Sequence, residues 1–274
     1  MTAAELLAGT HLPEHEARRL LLAATGLDAS GLVGNPTVDA RVVAIYRANV
    51  ARRRSGEPLQ YIEGDVEFGP ISLRVDPRAL IPRPETEHLY ELATEVVAGI
   101  HNATIIDLCT GSGNIALALK SGFPRARVIG TDLSSEALSL AAENAAALDL
   151  SVELVEGDLF AGVHQSLLGK VDLVVSNPPY VASGEWASLP REVRDHEPEA
   201  ALVAGPQGTE VLARIAGEAY RWLRPGGRLI CEIGETQEQE CLRLFSAYRP
   251  RVRLDLTGRP RYVHGIAPQS PNVH

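Results

Sequence analysis

From residue 87 onward, short β-branched runs alternate with apolar stretches of helical period, and that alternation leaves few folds open. Extended runs are expected at 104–108, 127–131, 152–155, 171–176 and 228–233, with two more at 251–256 and 261–266. Helices are expected at 87–97, 115–120, 134–148, 208–223 and 237–248. Such a pattern builds an α/β, open, doubly wound, mostly parallel sheet, because a parallel strand pair needs a crossover and the crossover helix covers the sheet. Sheets of this kind take ligands at the carboxyl ends of their strands, near the point where strand order reverses. The loops that follow the strands are therefore where chemistry is sought.

The amino-terminal part follows another period. Residues 2–54 read as all helical, with apolar positions at Leu20, Leu21 and Leu22 and again at Val42, Val43, Ile45, Tyr46 and Val50. Asp39 is a plausible cap for the last of these helices. Ser55-Gly56-Glu57-Pro58 breaks the pattern, and Phe68-Gly69-Pro70 separates two short extended runs, the second at 71–75. The expected divisions are a small helical domain over 1–56, a β-hairpin linker over 57–84 and the α/β domain over 85–274.

The segment Ile105-Ile106-Asp107-Leu108-Cys109-Thr110-Gly111-Ser112-Gly113-Asn114-Ile115-Ala116 is a strand that ends in a glycine turn and opens a helix. Glycine lets the backbone come close to a ligand and take positive φ. Gly111, Gly113 and Ala116 fit the spacing of a dinucleotide site, with Asp132 about twenty residues on. Two features argue for a different cofactor. A pyrophosphate calls for bare helix amides, whereas Asp107 stands at the strand end. A carboxylate there suits a cationic ligand with an amino group, such as the sulfonium amino acid of S-adenosylmethionine. A further acid, Asp158 in Glu156-Gly157-Asp158-Leu159-Phe160, follows the next strand, placed to accept from an adenine amine while Leu159 and Phe160 pack on the ring. Asp132 ends the second strand, where a carboxylate accepts ribose hydroxyls; Ser134 beside it serves equally well as a helix cap.

Val174-Val175-Ser176-Asn177-Pro178-Pro179-Tyr180 is the most specific signal in the chain. A β-branched run ends in Asn, and two prolines then hold the backbone extended and remove its amide donors. The acceptors left are the Asn177 side-chain carbonyl and the Pro178 backbone carbonyl, both able to accept from one NH2 group while the Tyr180 ring covers its flat face. That arrangement answers the needs of methylating a planar amide or amine nitrogen, whose delocalised lone pair is a poor nucleophile. Fixed acceptors orient it and stabilise the charge that develops there.

The formal net charge of -9 weighs against non-specific nucleic-acid binding. Arg52-Arg53-Arg54, with Arg47 before it, is the densest basic cluster and reads first as cations at a helix carboxyl end. Cys109, Cys231 and Cys241 are odd in number and lack metal-ligand spacing, so reduced thiols in a cytoplasmic protein are expected and no metal. No apolar run is long enough to span a bilayer.

Together these residues resemble the Asn-Pro-Pro-Tyr amino-methyltransferases, and among them the protein-(glutamine-N5) methyltransferases of peptide-chain release factors, the HemK family. The similarity spans essentially the whole chain. It includes Gln60-Tyr61-Ile62, Glu67-Phe68, Ile81-Pro82-Arg83-Pro84-Glu85-Thr86-Glu87, Asp107 to Gly113, Val174 to Tyr180, Glu197-Pro198, Ala201-Leu202, and Asp255-Leu256 with Gly258, Arg259 and Arg261. The resemblance implies a Rossmann-like class I methyltransferase domain with a seven-stranded, mostly parallel sheet, preceded by a helical substrate-recognition domain. It implies transfer of methyl from S-adenosylmethionine to the glutamine of a Gly-Gly-Gln motif in release factors. Cofactor residues carry over to Cys109, Thr110, Gly111, Ser112, Gly113, Asp132, Asp158, Leu159 and Asn177, and glutamine-binding residues to Asn177, Pro178, Pro179 and Tyr180. Arg83, Pro84 and Glu85 are expected to shape an active-site lid. This chain departs from the family in having Cys109 where many members have Gly, and Leu159 where many have an aromatic, so Phe160 is the candidate to stack on adenine.

Two other classes use parts of the same pattern. A DNA or RNA N-methyltransferase needs the same tetrapeptide, since an exocyclic base amine is also planar and conjugated. It would want a basic recognition insert that this chain lacks. An NAD-dependent oxidoreductase accounts for the glycine loop and leaves the tetrapeptide unexplained.

Overall fold

The structure is a computed structural model and describes residues 1–269; residues 270–274, the end of the expected 85–274 domain, lie outside the described residues. The chain divides into two compact units, one of Met1–Val66 with Pro190–His196 and one of Glu67–Leu189 with the described residues from Glu197 onward.

The first unit holds α1 (Ala3–Ala8), α2 (Glu14–Thr25), α3 (Ala40–Arg54) and α4 (Leu59–Glu63). Its core is Leu6, Leu20, Leu21, Tyr46, Val50, Leu59 and Ile62. Asp39 caps α3 as expected, its carboxylate accepting from the Val42 amide at 2.9 Å. Two arginines of the run at the end of α3 are spent on ion pairs: Arg52 with Glu57, and Arg53 with both Glu16 and Glu192. Helix α4 was not expected, because 57–84 reads as a hairpin linker. Pro58 opens this turn, Leu59 and Ile62 bury their side chains in the helical core, and Gly64 at φ 90° closes it. The hairpin follows as β1 (Asp65–Phe68) and β2 (Ile71–Arg74), and the unit boundary falls within β1.

The second unit continues with α5 (Pro84–Val97), β3 (Thr104–Leu108), α6 (Asn114–Gly122), β4 (Arg127–Asp132), α7 (Ser135–Ala147), β5 (Glu153–Glu156) and β6 (Val171–Ser176). After β7 (Val181–Ala182) comes α8 (Arg191–His196), which packs in the first unit, and then β8 (Val203–Gly205). The chain finishes with α9 (Glu210–Trp222), β9 (Leu223–Glu232), α10 (Glu238–Leu244), β10 (Arg251–Leu254) and β11 (Pro260–Ile266). Seven strands form one sheet in the order β10-β11-β9-β6-β3-β4-β5, parallel except for the two pairs that involve β11. This is the α/β, class I methyltransferase arrangement that the sequence implied.

Why these segments form these elements is mostly periodicity. Every residue of β6 is buried, as befits a central strand covered on both faces. On α9 the residues Leu212, Ile215, Ala216, Ala219 and Trp222 recur at helical spacing and are all buried. Pro84 sits at the first position of α5, where its ring pre-sets φ and its missing amide costs nothing. Strand β9 starts at Leu223, five residues before the expected 228, because Pro225-Gly226-Gly227 hides a register shift inside the strand. Helix α10 stops at Leu244, and a 3-10 turn, Ser246–Tyr248, supplies the rest of the stretch expected as helix to 248.

Strand order reverses between β3 and β6, which pair in parallel with Leu108 opposite Ser176. The glycine loop leaves the end of β3 and the Asn-Pro-Pro-Tyr segment leaves the end of β6. Topology alone therefore brings the two sequence signals side by side.

Candidate active site

A cavity of about 570 Å³ opens at these strand ends, a volume typical of a small-molecule or cofactor site. Cys109, Thr110, Gly111 and Ser112 form one wall; Asp132, Asp158 and Leu159 line it from the ends of β4 and β5; Asn177 and Pro179 close it from β6. The expected cofactor residues other than Asp107 and Gly113, and half of the expected substrate tetrapeptide, thus share one space.

The loop takes its shape from left-handed backbone at Cys109, Gly111 and Gly113, with φ of 56°, 56° and 82°. Gly113 caps α6 and has no room for a side chain: a Cβ there would lie 3.0 Å from Leu117 Cδ1 and 3.2 Å from Ala141 Cβ. Cys109 adopts the same left-handed conformation with a Cβ, which costs about 1–2 kcal/mol. That cost is the physical content of the departure from Gly at this position. Burial pushes the Cys109 thiol well up, so it rests as a neutral thiol rather than a nucleophile.

Asp107 departs from expectation. It is fully buried beneath the loop and is not on the cavity wall. Its Oδ2 accepts from Thr110 Oγ1 at 2.6 Å and from the Ala116 amide at 3.1 Å, so it ties the loop to the start of α6. Its Oδ1 is buried without a hydrogen-bond partner among the described residues. Burial raises its pKa to about 7, against the lowering effect of the two hydrogen bonds.

Asp132 is placed as expected, on the wall at the end of β4. Its Oδ2 accepts from the Gly111 amide at 2.8 Å and its Oδ1 from the Ser134 amide at 2.9 Å, while Ser134 itself caps α7. Burial again raises its pKa. Asp158 also lines the cavity, but it pairs at 2.8 Å with Arg214 from α9, a cavity residue that sequence reasoning missed. Leu159 lies on the wall, with φ 54°. Phe160 does not reach it: its ring stacks on Trp222 in the core, centroids 5.4 Å apart and nearly coplanar in orientation at 9°. The expectation that Phe160 stacks on adenine is therefore corrected. Successive residues leave the turn in different directions, and Leu159 takes the one toward the cavity.

Within the tetrapeptide, Pro178 is buried and off the wall, and the Tyr180 phenol points to Glu232 Oε1 at 3.1 Å. Asn177 Nδ2 donates to Thr86 Oγ1 at 3.0 Å, and Thr86 Oγ1 donates to Glu232 Oε2 at 3.0 Å. Thr86 and Glu232 were missed in the sequence. Glu232 left a signal, because an acid closing the apolar run Leu229-Ile230-Cys231 is the same feature that singled out Asp107 and Asp132. Arg83 caps α5 from outside the cavity, and its guanidinium pairs with the buried carboxylate of Glu197, which also accepts from the Ile81 amide at 3.2 Å. Pro84 and Glu85 begin α5, and the Glu85 carbonyl accepts from the Tyr262 phenol at 2.7 Å. None of these three lines the cavity.

Comparison with known proteins agrees with this geometry. The Methyltransferase small domain family matches residues 89–190, and the PrmC N-terminal domain family matches residues 2–64. A release factor glutamine methyltransferase of Deinococcus radiodurans is 42% identical over 266 residues, covering 96% of this chain and 94% of that protein. One of Mycolicibacterium smegmatis is 41% identical over 267 residues, covering 96% and 93%. Among solved structures, the T. thermophilus 16S rRNA N2 G1207 methyltransferase in complex with AdoMet and guanosine shares the fold. Its TM-score is 0.54 at 17% identity, over 74% of this chain and 49% of that one. The identity and nearly full-length coverage of the curated relatives decide the family: this chain belongs to the release factor glutamine methyltransferases.

Proposed function

We propose that the chain transfers a methyl group from S-adenosylmethionine to the side-chain amide nitrogen of the glutamine in the Gly-Gly-Gln motif of peptide-chain release factors. The products are the methylated factor and S-adenosylhomocysteine, no metal takes part, and the reaction takes place in the cytoplasm. One observation carries the reading: a single cavity holds both the glycine cradle after β3 and Asn177 with Pro179 after β6. The names of the curated relatives support the substrate.

The cavity residues fit this cofactor. A Cβ at Gly111 would meet nothing nearer than Ala79 Cβ at 3.9 Å, so bare backbone faces the space where the amino-acid end would lie. Asp132 keeps lone pairs for ribose hydroxyls after accepting two backbone amides. Leu159, Leu133 and Val211 provide an apolar lining for a purine ring, with Asp158 at its edge. Bound there, S-adenosylmethionine supplies an electrophilic methyl group on a positively charged sulfur. Asn177 holds the glutamine amide by its side-chain carbonyl, and the prolines after it keep that backbone extended. Fixed acceptors stabilise positive charge as it grows on the amide nitrogen, and the proton leaves to solvent after transfer.

Residues 1–56 are assigned to recognition of the release factor outside its glutamine motif, with 57–84 as linker and 85–274 as the catalytic domain. Arg83, Pro84 and Glu85 are assigned to a lid, with the Arg83–Glu197 pair as its latch. The reading is tested by incubating the protein with unmodified release factor and S-adenosylmethionine and mapping the product by peptide mass spectrometry. One added methyl on the peptide that carries the Gly-Gly-Gln glutamine is expected. Methyl groups on nucleic acid in place of protein, with steeply salt-dependent retention on heparin, would overturn it.

A further inference from the structure

Asn177 has an amide whose two ends, one donor and one acceptor, have nearly the same shape. A site that needs its carbonyl needs something to fix which end faces inward. The hydrogen-bond chain behind it does this. An ionised Glu232 can only accept, and it faces two hydroxyls, Thr86 at 3.0 Å and Tyr180 at 3.1 Å. Each must donate to it. Having given its single proton to Glu232, Thr86 Oγ1 can only accept from Asn177, and so takes Nδ2 at 3.0 Å. The Asn177 carbonyl is what remains for a ligand.

We infer that Thr86 and Glu232 are positioning residues for methyl transfer, fixing the polarity of a buried hydrogen-bond chain that presents the Asn177 carbonyl to the acceptor amide. The inference rests on the proposed function. Both residues are 1% exposed, and neither is on the cavity wall, so they act through Asn177 and not on substrate. Their burial at the start of α5 and the end of β9 shields the middle of the chain from water, which would otherwise scramble its direction.

Protonation of Glu232 reverses the logic. A proton on Oε2 donates to Thr86, whose own proton is then free to point at Asn177 and draw the carbonyl away from the cavity. Glu232 is held at a pKa of about 7, raised by burial against the lowering effects of Thr86, Arg261 and Tyr180. The groups that face it are Thr86 and Glu85 of α5, Tyr180 from the loop after β6, and Arg261 and Tyr262 of β11. Presentation of the carbonyl therefore increases as pH rises through about 7.

The test compares wild type, Thr86→Val, Thr86→Ser and Glu232→Gln for kcat on release factor and for S-adenosylmethionine Kd by calorimetry. Thr86→Val keeps the shape and removes the relay, and kcat is expected to fall about a hundredfold with cofactor Kd within about threefold of wild type. Thr86→Ser retains the hydroxyl and is expected to recover kcat to within about threefold. Glu232→Gln has one acceptor for two hydroxyl donors; it is expected to lower kcat above about pH 7, where wild-type Glu232 is ionised, and to abolish the rise through about 7. Should Thr86→Val fail to fold, the near-isosteric Glu232→Gln and the Thr86→Ser rescue still decide. An active wild type with Thr86→Val within threefold of it, or with Thr86→Ser as impaired as Thr86→Val, overturns the relay alone. An inactive wild type that binds cofactor overturns the proposed substrate, and the relay with it.

Discussion

Asp107 gives the sharpest physical test of the glycine loop. It is fully buried, Oδ1 has no partner among the described residues, and its pKa is raised from 3.8 to about 7 by burial, with Asp132 adding a smaller repulsion. Between those two values the folded protein holds a proton that the unfolded chain has released. Stability contributed by Asp107 is thus full at low pH and is lost as pH rises through this window, at up to about 1.4 kcal/mol per pH unit. Across about three units the loss reaches about 4 kcal/mol for a group this deeply buried. Asp107→Asn keeps an acceptor for Thr110 and Ala116 and cannot ionise. Relative to wild type, it should therefore gain stability steadily from about pH 4 to about pH 7 and level off above. Urea unfolding of both proteins at about pH 5, 6, 7 and 8 measures the difference. Glu232 and His264 titrate in both proteins and cancel. A stability difference that stays constant over this range would show that Asp107 ionises at its ordinary value, and the account of a buried, half-satisfied carboxyl beneath the loop would fail.

Other substitutions separate wall from core. Leu159→Ala should weaken S-adenosylmethionine binding measured by calorimetry and also lower Tm, since Leu159 both lines the cavity and packs in the core. Phe160→Ala, by contrast, should cost about 3–5 kcal/mol of stability and leave the cofactor Kd of the folded protein unchanged, because its ring is stacked on Trp222 away from the cavity. The reverse pattern would restore Phe160 as the adenine neighbour. Gly157→Ala should lower stability by about 3 kcal/mol and cofactor affinity with it, since a Cβ there would lie 1.9 Å from the Ala161 carbonyl oxygen and force the Asp158-Leu159 turn to move. An unchanged Tm and unchanged cofactor Kd would contradict that close approach.

The sheet was legible because its strands obey one rule at a time. Strands 104–108 and 171–176 are mostly apolar, with no glycine or proline inside them, and both appear at their expected bounds. Where glycine stood inside a strand, at Gly226 and Gly227, the pattern looked like a turn, and five residues of β9 were hidden. Helix α4 was hidden for a related reason: five residues are too few to show a period, and only tertiary burial of Leu59 and Ile62 makes the turn helical. The site was legible where a residue's place on the cavity wall follows from its position at or just after the end of a strand, as for Gly111, Asp132 and Asn177. It was not legible where the partner comes from a distant element. Arg214 reaches Asp158 from α9, Glu197 reaches Arg83 across 114 residues of chain, and Glu232 reaches Thr86 across 146. Spacing along a chain carries no record of such pairs. The direction taken by Phe160 belongs to the same class, because it depends on where Trp222 lies.

The most direct measurement is transfer of label from methyl-labelled S-adenosylmethionine to purified, unmodified release factor, beside a factor whose Gly-Gly-Gln glutamine is replaced by alanine. Label on the first factor and none on the second is the predicted result, and it fixes cofactor, protein and residue together. Equal labelling of both factors, or labelling of neither by a protein that still binds the cofactor, would contradict the account.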